Sequence, residues 1–235
     1  MARLVGAIPV ITEQTGRAVV LVGGLAVMCR LSIPYRVTTD LDMVNRRRTT
    51  EVPQLELLVS AGAVPSGPSG VLVSTPRGDV QVDVLEVTDA ELDDLPDDPT
   101  DRLHVQSHAW AAATASDLTI SVDGIDPLGV RVAEPGPIIA MKLQSIMNRG
   151  AAKEATDLLD ILRITLDRDC GPLSRDQLES AEAQLRADAL LHARRWFDET
   201  ADRSLMKIRA VPEGRDVNVD DVRLVGDLLV AALAA

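Results

Sequence analysis

The sequence predicts an α+β protein: a mixed β-sheet with flanking helices, followed by a helical C-terminal domain. Three observations carry that expectation. Short valine-rich runs bounded by Gly, Pro and Asp recur through the first 133 residues, which is strand patterning. Helical signals dominate after Pro135, Gly136 and Pro137, a boundary by composition. A chain of 235 residues has room for one large domain or two small ones, and we divide it into residues 1–133 and 134–235.

Composition narrows the class. Apolar residues make up 46% and charged residues 26%, enough for a packed core. Aromatics are only 2%, so that core must be aliphatic. No apolar run reaches the roughly 18 residues that span a bilayer, so no membrane association is expected. The N-terminus lacks a long apolar h-region, and a cytoplasmic protein is expected. Cys29 and Cys170 fit no metal spacing and read as core or loop thiols. A net charge of −12 argues against a general grip on long nucleic acid; any RNA contact should be local or confined to an end. A basic protein partner is also compatible with it.

Residues 1–18 read as a leading helix or loop. Val19 to Val22 form a short buried strand, Gly23 and Gly24 a turn, and residues 25–31 a helix of about two turns closed by Pro34. A second strand is expected over residues 36–43. Alternation would place Arg36, Thr38, Asp40 and Asp42 on one face, with Val37, Leu41 and Met43 on the other. Arg46, Arg47 and Arg48 follow, either as a solvated loop or as a phosphate contact near the carboxylates. Residues 51–62 read as a helix carrying Leu55, Leu58 and Val59, and residues 64–70 as a loop. Residues 71–75 and 80–87 read as a hairpin. Residues 89–101 are acidic and punctuated by proline, the pattern of a surface loop. His104 and His108 stand four apart without a third ligand at a defined spacing. Residues 118–122 and 130–132 add two strands. Beyond the boundary, helices are expected over residues 138–148, 151–166, 174–201 and 219–234.

Asp40 and Asp42 lie two apart on a strand, roughly 6.5–7 Å between Cα atoms. That spacing lets both reach a pair of divalent ions about 3.5–4 Å apart. A strand, glycine turn and helix beside them offers free backbone N–H groups to a triphosphate. Asp83 sits in the middle of a valine strand, where an unpaired carboxylate is costly. It is either salt-bridged or a third metal ligand on a neighbouring strand. In the helical half, Lys142 and Arg149 stand seven apart, nearly on one helical face. They read as two solvated cations or as a cationic ridge facing an anionic site.

These residues carry a resemblance. Gly23 and Gly24 at the strand–helix turn, followed by Arg36-x-Thr38-x-Asp40-x-Asp42, resemble the nucleotidyltransferase core of the DNA polymerase beta superfamily. GG in place of the commoner GS resembles the AbiEii/MenT group of toxin nucleotidyltransferases. A lysine-led helix at Lys142, then Arg149, Gly150, Lys153, Glu154, Asp157 and Leu158, is similar to that group's second signature, with Glu154 where Asp is usual. The likeness covers roughly residues 19–166.

The resemblance implies a nucleotidyltransferase-type sheet and transfer of NMP from an NTP. Asp40, Asp42 and Asp83 would bind Mg²⁺ (or Mn²⁺). Gly23, Gly24, Arg36, Thr38, Lys142 and Arg149 would bind the nucleotide, with Lys142 as a mobile point charge. Lys142 and Asp157 join the three acids as catalytic residues. It further implies a toxin of a toxin–antitoxin pair, acting on an RNA acceptor, the tRNA 3′ end, and held by a cognate antitoxin. Two other classes fit the residues: a nucleotidyltransferase for a cationic small molecule of the aminoglycoside type, and a non-catalytic module whose acids bind an ion or Arg36.

Overall fold

The computed structural model describes residues 1–148 and 150–235; Arg149, a candidate nucleotide contact, lies outside the described residues. The chain is α+β, with a seven-stranded mixed sheet and flanking helices. It divides into two compact units. Met1–Cys29, Arg36–Asp94 and His108–Glu134 form the first; Arg30–Tyr35, Leu95–Ser107 and Pro135–Ala235 form the second. No helix among the described residues is long and apolar enough to cross a membrane.

In chain order the first unit opens with α1 (Ala2–Thr15), β1 (Val20–Val22), α2 (Gly23–Arg30), β2 (Asp40–Arg47) and α3 (Gln54–Ser60). It continues with β3 (Val64–Pro65), β4 (Gly70–Val73), β5 (Val80–Thr88) and α4 (Asp89–Asp93). Helix α5 (Pro99–Thr114) runs across the boundary at 107/108, and β6 (Ser116–Ile120) and β7 (Leu128–Val132) complete the set. The strand order is β3-β4-β5-β2-β1-β7-β6. The pairs β2/β5 and β1/β7 are parallel, and the others antiparallel. The register sets Leu41 beside Val82 and Met43 beside Val84, all four buried. The opposite face of the same pair carries Asp40 beside Gln81 and Asp42 beside Asp83, none of them fully buried. One strand pair therefore presents an apolar face to the core and an acidic face away from it.

The hairpin of β4 and β5 and the strand–Gly-Gly–helix turn are as the sequence predicts. Several expectations are corrected. The second strand begins at Asp40, not Arg36, and Val37 is 76% exposed. The cause is its neighbour: β1 ends at Val22 opposite Asp42, where the chain turns into α2, so residues 36–39 have no β1 strand to pair with. The same strand runs on to Arg47 because β5 continues beside it, pairing Arg46 with Val87 and Arg47 with Thr88. Those arginines are strand residues rather than a loop.

The acidic run at 89–101 is not one loop. Thr88 and Glu91 form a capping box that starts α4, and the Asp98 carboxylate accepts the N–H groups of Thr100 (2.8 Å) and Asp101 (3.2 Å) at the start of α5. In α3 only Leu58 of the expected apolar trio is buried, and Val59 is exposed.

The second unit is helical: α6 (Pro135–Ser145) with a 3₁₀ turn at Ile146–Asn148, α7 (Ala151–Leu166), α8 (Cys170–Glu179), α9 (Ala183–Arg194), α10 (Ala201–Arg209) and α11 (Val219–Ala234). The single helix expected over residues 174–201 is α8, α9 and a π-helical turn at Arg195–Glu199. Its break follows from Ser180, whose hydroxyl donates to the carbonyls of Asp176 (2.9 Å) and Gln177 (3.2 Å) and so competes with the helical ladder. A capping box of Asn218 and Asp221 starts α11.

Asp167 ties the start of α8 to the segment Arg30–Tyr35. Its Oδ2 accepts the Ser32 hydroxyl (2.6 Å) and N–H (3.0 Å), and its Oδ1 accepts the N–H groups of Asp169 (2.9 Å) and Cys170 (3.0 Å). Burial alone would raise this carboxyl, but those bonds, the Ser32 hydroxyl foremost, outweigh it and lower the pKa from 3.8 to about 2. A depressed folded value gives stability that is present above the unfolded pKa and lost as pH falls through the folded one. The stability difference between wild type and Asp167→Asn should stay level above about pH 5 and shrink between about pH 4 and pH 2. Urea titrations across that window measure it; a difference that grows on acidification contradicts the assignment.

Candidate metal and nucleotide site

Asp40, Asp42 and Asp83 each offer a carboxylate oxygen, and these oxygens lie within 4.8 Å of one another. They are the one such group of three or more His, Cys, Asp or Glu found among the described residues. Alternation along β2 puts Asp40 and Asp42 on one face, and the parallel register with β5 brings Asp83 directly beside Asp42. Three like charges at that separation repel strongly. All are half-buried, so water screens them incompletely.

Neighbouring polar groups hold the acids in place. The Thr38 hydroxyl donates to Asp40 Oδ1 at 2.6 Å. Gln81, two residues before Asp83 on the same strand face, donates from Nε2 to Asp83 Oδ1 at 2.9 Å. Each bond fixes one oxygen of its carboxylate. Neither Gln81 nor Gly70 was anticipated. The signal for Gln81 is strand alternation, which puts it on the same face as Asp83. Gly70 carried none, because only the β4/β5 register shows that a Cβ there would stand 2.6 Å from Asp83 Oδ1.

The glycine turn closes one side. Gly23 has φ +62, a left-handed conformation that disfavours any side chain, and a Cβ built on it would overlap the Asp42 carboxylate. At Gly24 a Cβ would stand 2.9 Å from Thr38 Oγ1 and 3.0 Å from Arg36 Nη2. Gly23, Gly24, Arg36, Thr38 and the three acids therefore meet at one place, where α2 begins and its first N–H groups are unpaired by the helix. Gly23→Ala is expected to cost about 1–2 kcal/mol of stability through backbone strain. It should also displace Asp42, so divalent-ion affinity falls more steeply than stability. Calorimetric titration beside a denaturation curve reads both.

Lys142 and Asp157 form a second cluster, in the helical unit. Lys142 Nζ lies 2.6 Å from Asp157 Oδ1 and 2.7 Å from Asp160 Oδ2, and all three side chains are buried. Ser145 Oγ donates to Asp157 Oδ2 at 2.9 Å, and the Tyr35 hydroxyl donates to Asp160 Oδ1. Burial alone would lower the pKa of this ammonium, but Asp157 and then Asp160 outweigh it, and the pKa is raised. Lys142 is thus a buried, doubly paired cation rather than the mobile point charge expected. Asp160 was missed, although an acid one helical turn after Asp157, among Leu158, Leu159, Ile161 and Leu162, marks a buried polar position. Glu154 pairs with Lys207.

The donor set suits a hard divalent cation. Three carboxylates with no nitrogen or sulfur ligand favour Mg²⁺ or Mn²⁺ over softer metals. Compared with known proteins, the chain matches no family model and no curated protein.

Proposed function

We propose that this chain is a Mg²⁺-dependent nucleotidyltransferase, moving NMP from an NTP onto an RNA acceptor in the cytoplasm. The observation that carries the reading is the meeting of three carboxylates, from two neighbouring strands, beside a Gly-Gly turn into a helix. A non-catalytic module whose acids merely pair with Arg36 accounts for this less well, because one arginine cannot neutralise three acids.

Asp40, Asp42 and Asp83 would hold the ions. Bound there, divalent cations would neutralise the triphosphate and polarise its α-phosphoryl group. The N–H groups at Gly23 and Gly24 would donate to the phosphate oxygens, which glycine lets come close. Arg36, beside Gly24, adds a fixed positive charge. The acceptor hydroxyl attacks the α-phosphorus, the bond to the β-phosphate oxygen breaks, and pyrophosphate leaves. The proton of the attacking hydroxyl passes to Asp83, whose one oxygen is held by Gln81.

The toxin role, the tRNA 3′ end as acceptor and a cognate antitoxin rest on the resemblance of the two motifs to the AbiEii/MenT group. Contact with an RNA end alone is compatible with a net charge of −12. A catalytic part for Lys142 and Asp157 rests on that resemblance alone, and Lys142, paired with Asp157 and Asp160, does not act as a mobile charge.

Incubating the protein with Mg²⁺, total RNA and each α-labelled NTP in turn tests the reading. Label on tRNA is the expected result. Label on an amino-sugar acceptor with none on RNA would move the substrate to a cationic small molecule. No label on either acceptor with any NTP would overturn the proposal.

A further inference from the structure

At the far end of β2 from the acids, the first unit has a cleft of about 680 Å³ whose lining is dominated by arginine. Arg17, Arg46, Arg47, Arg48 and Arg131 line it, against Glu51 and Asp89. That is a local surplus of three positive charges (5 − 2) on a chain whose net charge is −12. The acids open β2 at Asp40 and Asp42, and the arginines close it at Arg46 and Arg47, so the two regions are separated by about 3.3 Å per residue along the strand. The arginines are therefore not a contact at the carboxylates, as the sequence suggested, but a site of their own.

We infer that this cleft is a second anion site, which binds a ligand presenting several phosphates: a free polyphosphate or the successive phosphodiesters of an RNA backbone. The inference goes beyond the proposed activity and does not rest on it. Arginine guanidinium groups match phosphate oxygens in paired hydrogen bonds. Arg47 is held in place at the cleft: Nη1 donates to the carbonyls of Arg48 (3.3 Å), Thr49 (3.4 Å) and Glu51 (3.1 Å), and Nε lies 3.8 Å from Glu86 Oε2. Arg17 Nη1 is buried without a hydrogen-bond partner, a costly state that a phosphate oxygen would relieve.

Arg131 is anchored through Nη2 on the Ala115 carbonyl at 3.0 Å. The cleft's own ion pairs, Arg17–Glu51 at 3.6 Å and Arg46–Asp89 at 3.2 Å, are of the partly exposed kind that contribute about 0–1 kcal/mol and exchange easily for a phosphate. The Arg48 side chain is exposed and makes no ion pair among the described residues.

The test uses the full chain in EDTA, where the three acids carry no cation and repel phosphate. Sodium tripolyphosphate is titrated by calorimetry, and a fluorescent single-stranded RNA by anisotropy. Saturable binding that weakens about tenfold or more in R46S/R48S is expected, because two phosphate contacts are removed. For the RNA, the salt dependence should also flatten. Tripolyphosphate binding without tighter RNA binding identifies a free polyphosphate; RNA binding that tripolyphosphate displaces identifies a backbone. Asp89→Asn, which releases Arg46, should tighten binding about threefold and provides a readout should R46S/R48S fail to fold. No binding of either probe, or binding unchanged by these substitutions, overturns the inference.

Discussion

Replacing Asp42 by Asn should lower nucleotidyl transfer by about 10³-fold, a loss of about 4 kcal/mol of transition-state stabilisation. The substitution keeps shape and volume and removes one charge from three oxygens that lie within 4.8 Å of one another. Asp42 is the sharpest place to make it. Asp42 stands beside Asp83 in the strand pair, and its carboxylate occupies space that a side chain at position 23 would fill. Stability should move the other way. Removing one of three crowded like charges relieves repulsion, so Asp42→Asn should unfold at an equal or higher denaturant concentration than wild type. Activity lost with stability kept or gained is the signature of a group placed for function rather than for folding. Turnover within about threefold of wild type would exclude Asp42 from the chemistry.

Replacing Lys142 by Met should cost about 3–5 kcal/mol of stability. Lys142 is the cation between two buried acids, and removing it leaves Asp157 and Asp160 facing each other in a dry interior. Neutralising the acids as well should restore much of the loss, since an all-neutral cluster needs no counter-ion. Urea midpoints of K142M and of K142M/D157N/D160N measure both. A triple variant no more stable than the single one would mean that the lysine acts through its packing, not its charge. The comparison also separates roles: a refolded triple variant that still lacks transfer activity gives these groups a part in function beyond their pairing.

Much of the acidic site was legible because strand geometry is simple. An i, i+2 pair must share a face, and an aspartate among valines must have a reason. That Asp83 stands beside Asp42 required the parallel pairing of β2 with β5, a contact across 41 residues that no local pattern encodes. The start of β2 was misjudged for the same reason. Residues 36–39 have strand-like composition, but β1 ends where α2 begins, and a strand without a neighbour is only an extended segment. For the arginines after it the sequence leaves a solvated loop or a phosphate contact near the carboxylates, yet β5 keeps two of them in the sheet. Lys142 was misread in the opposite sense. Its partners lie on the next helix, a turn apart, and only the packing of α6 and α7 shows that its charge is spent inside the protein.

The most direct test of the central claim is a Mn²⁺ titration followed by electron paramagnetic resonance, on wild type and on D40N/D42N/D83N. Three carboxylates built to hold divalent ions predict saturable loss of the free Mn²⁺ signal with wild type, and competition by Mg²⁺. The triple variant should be folded and leave the signal untouched. Equal Mn²⁺ uptake by both proteins, or none by wild type in the presence of NTP, would contradict the account.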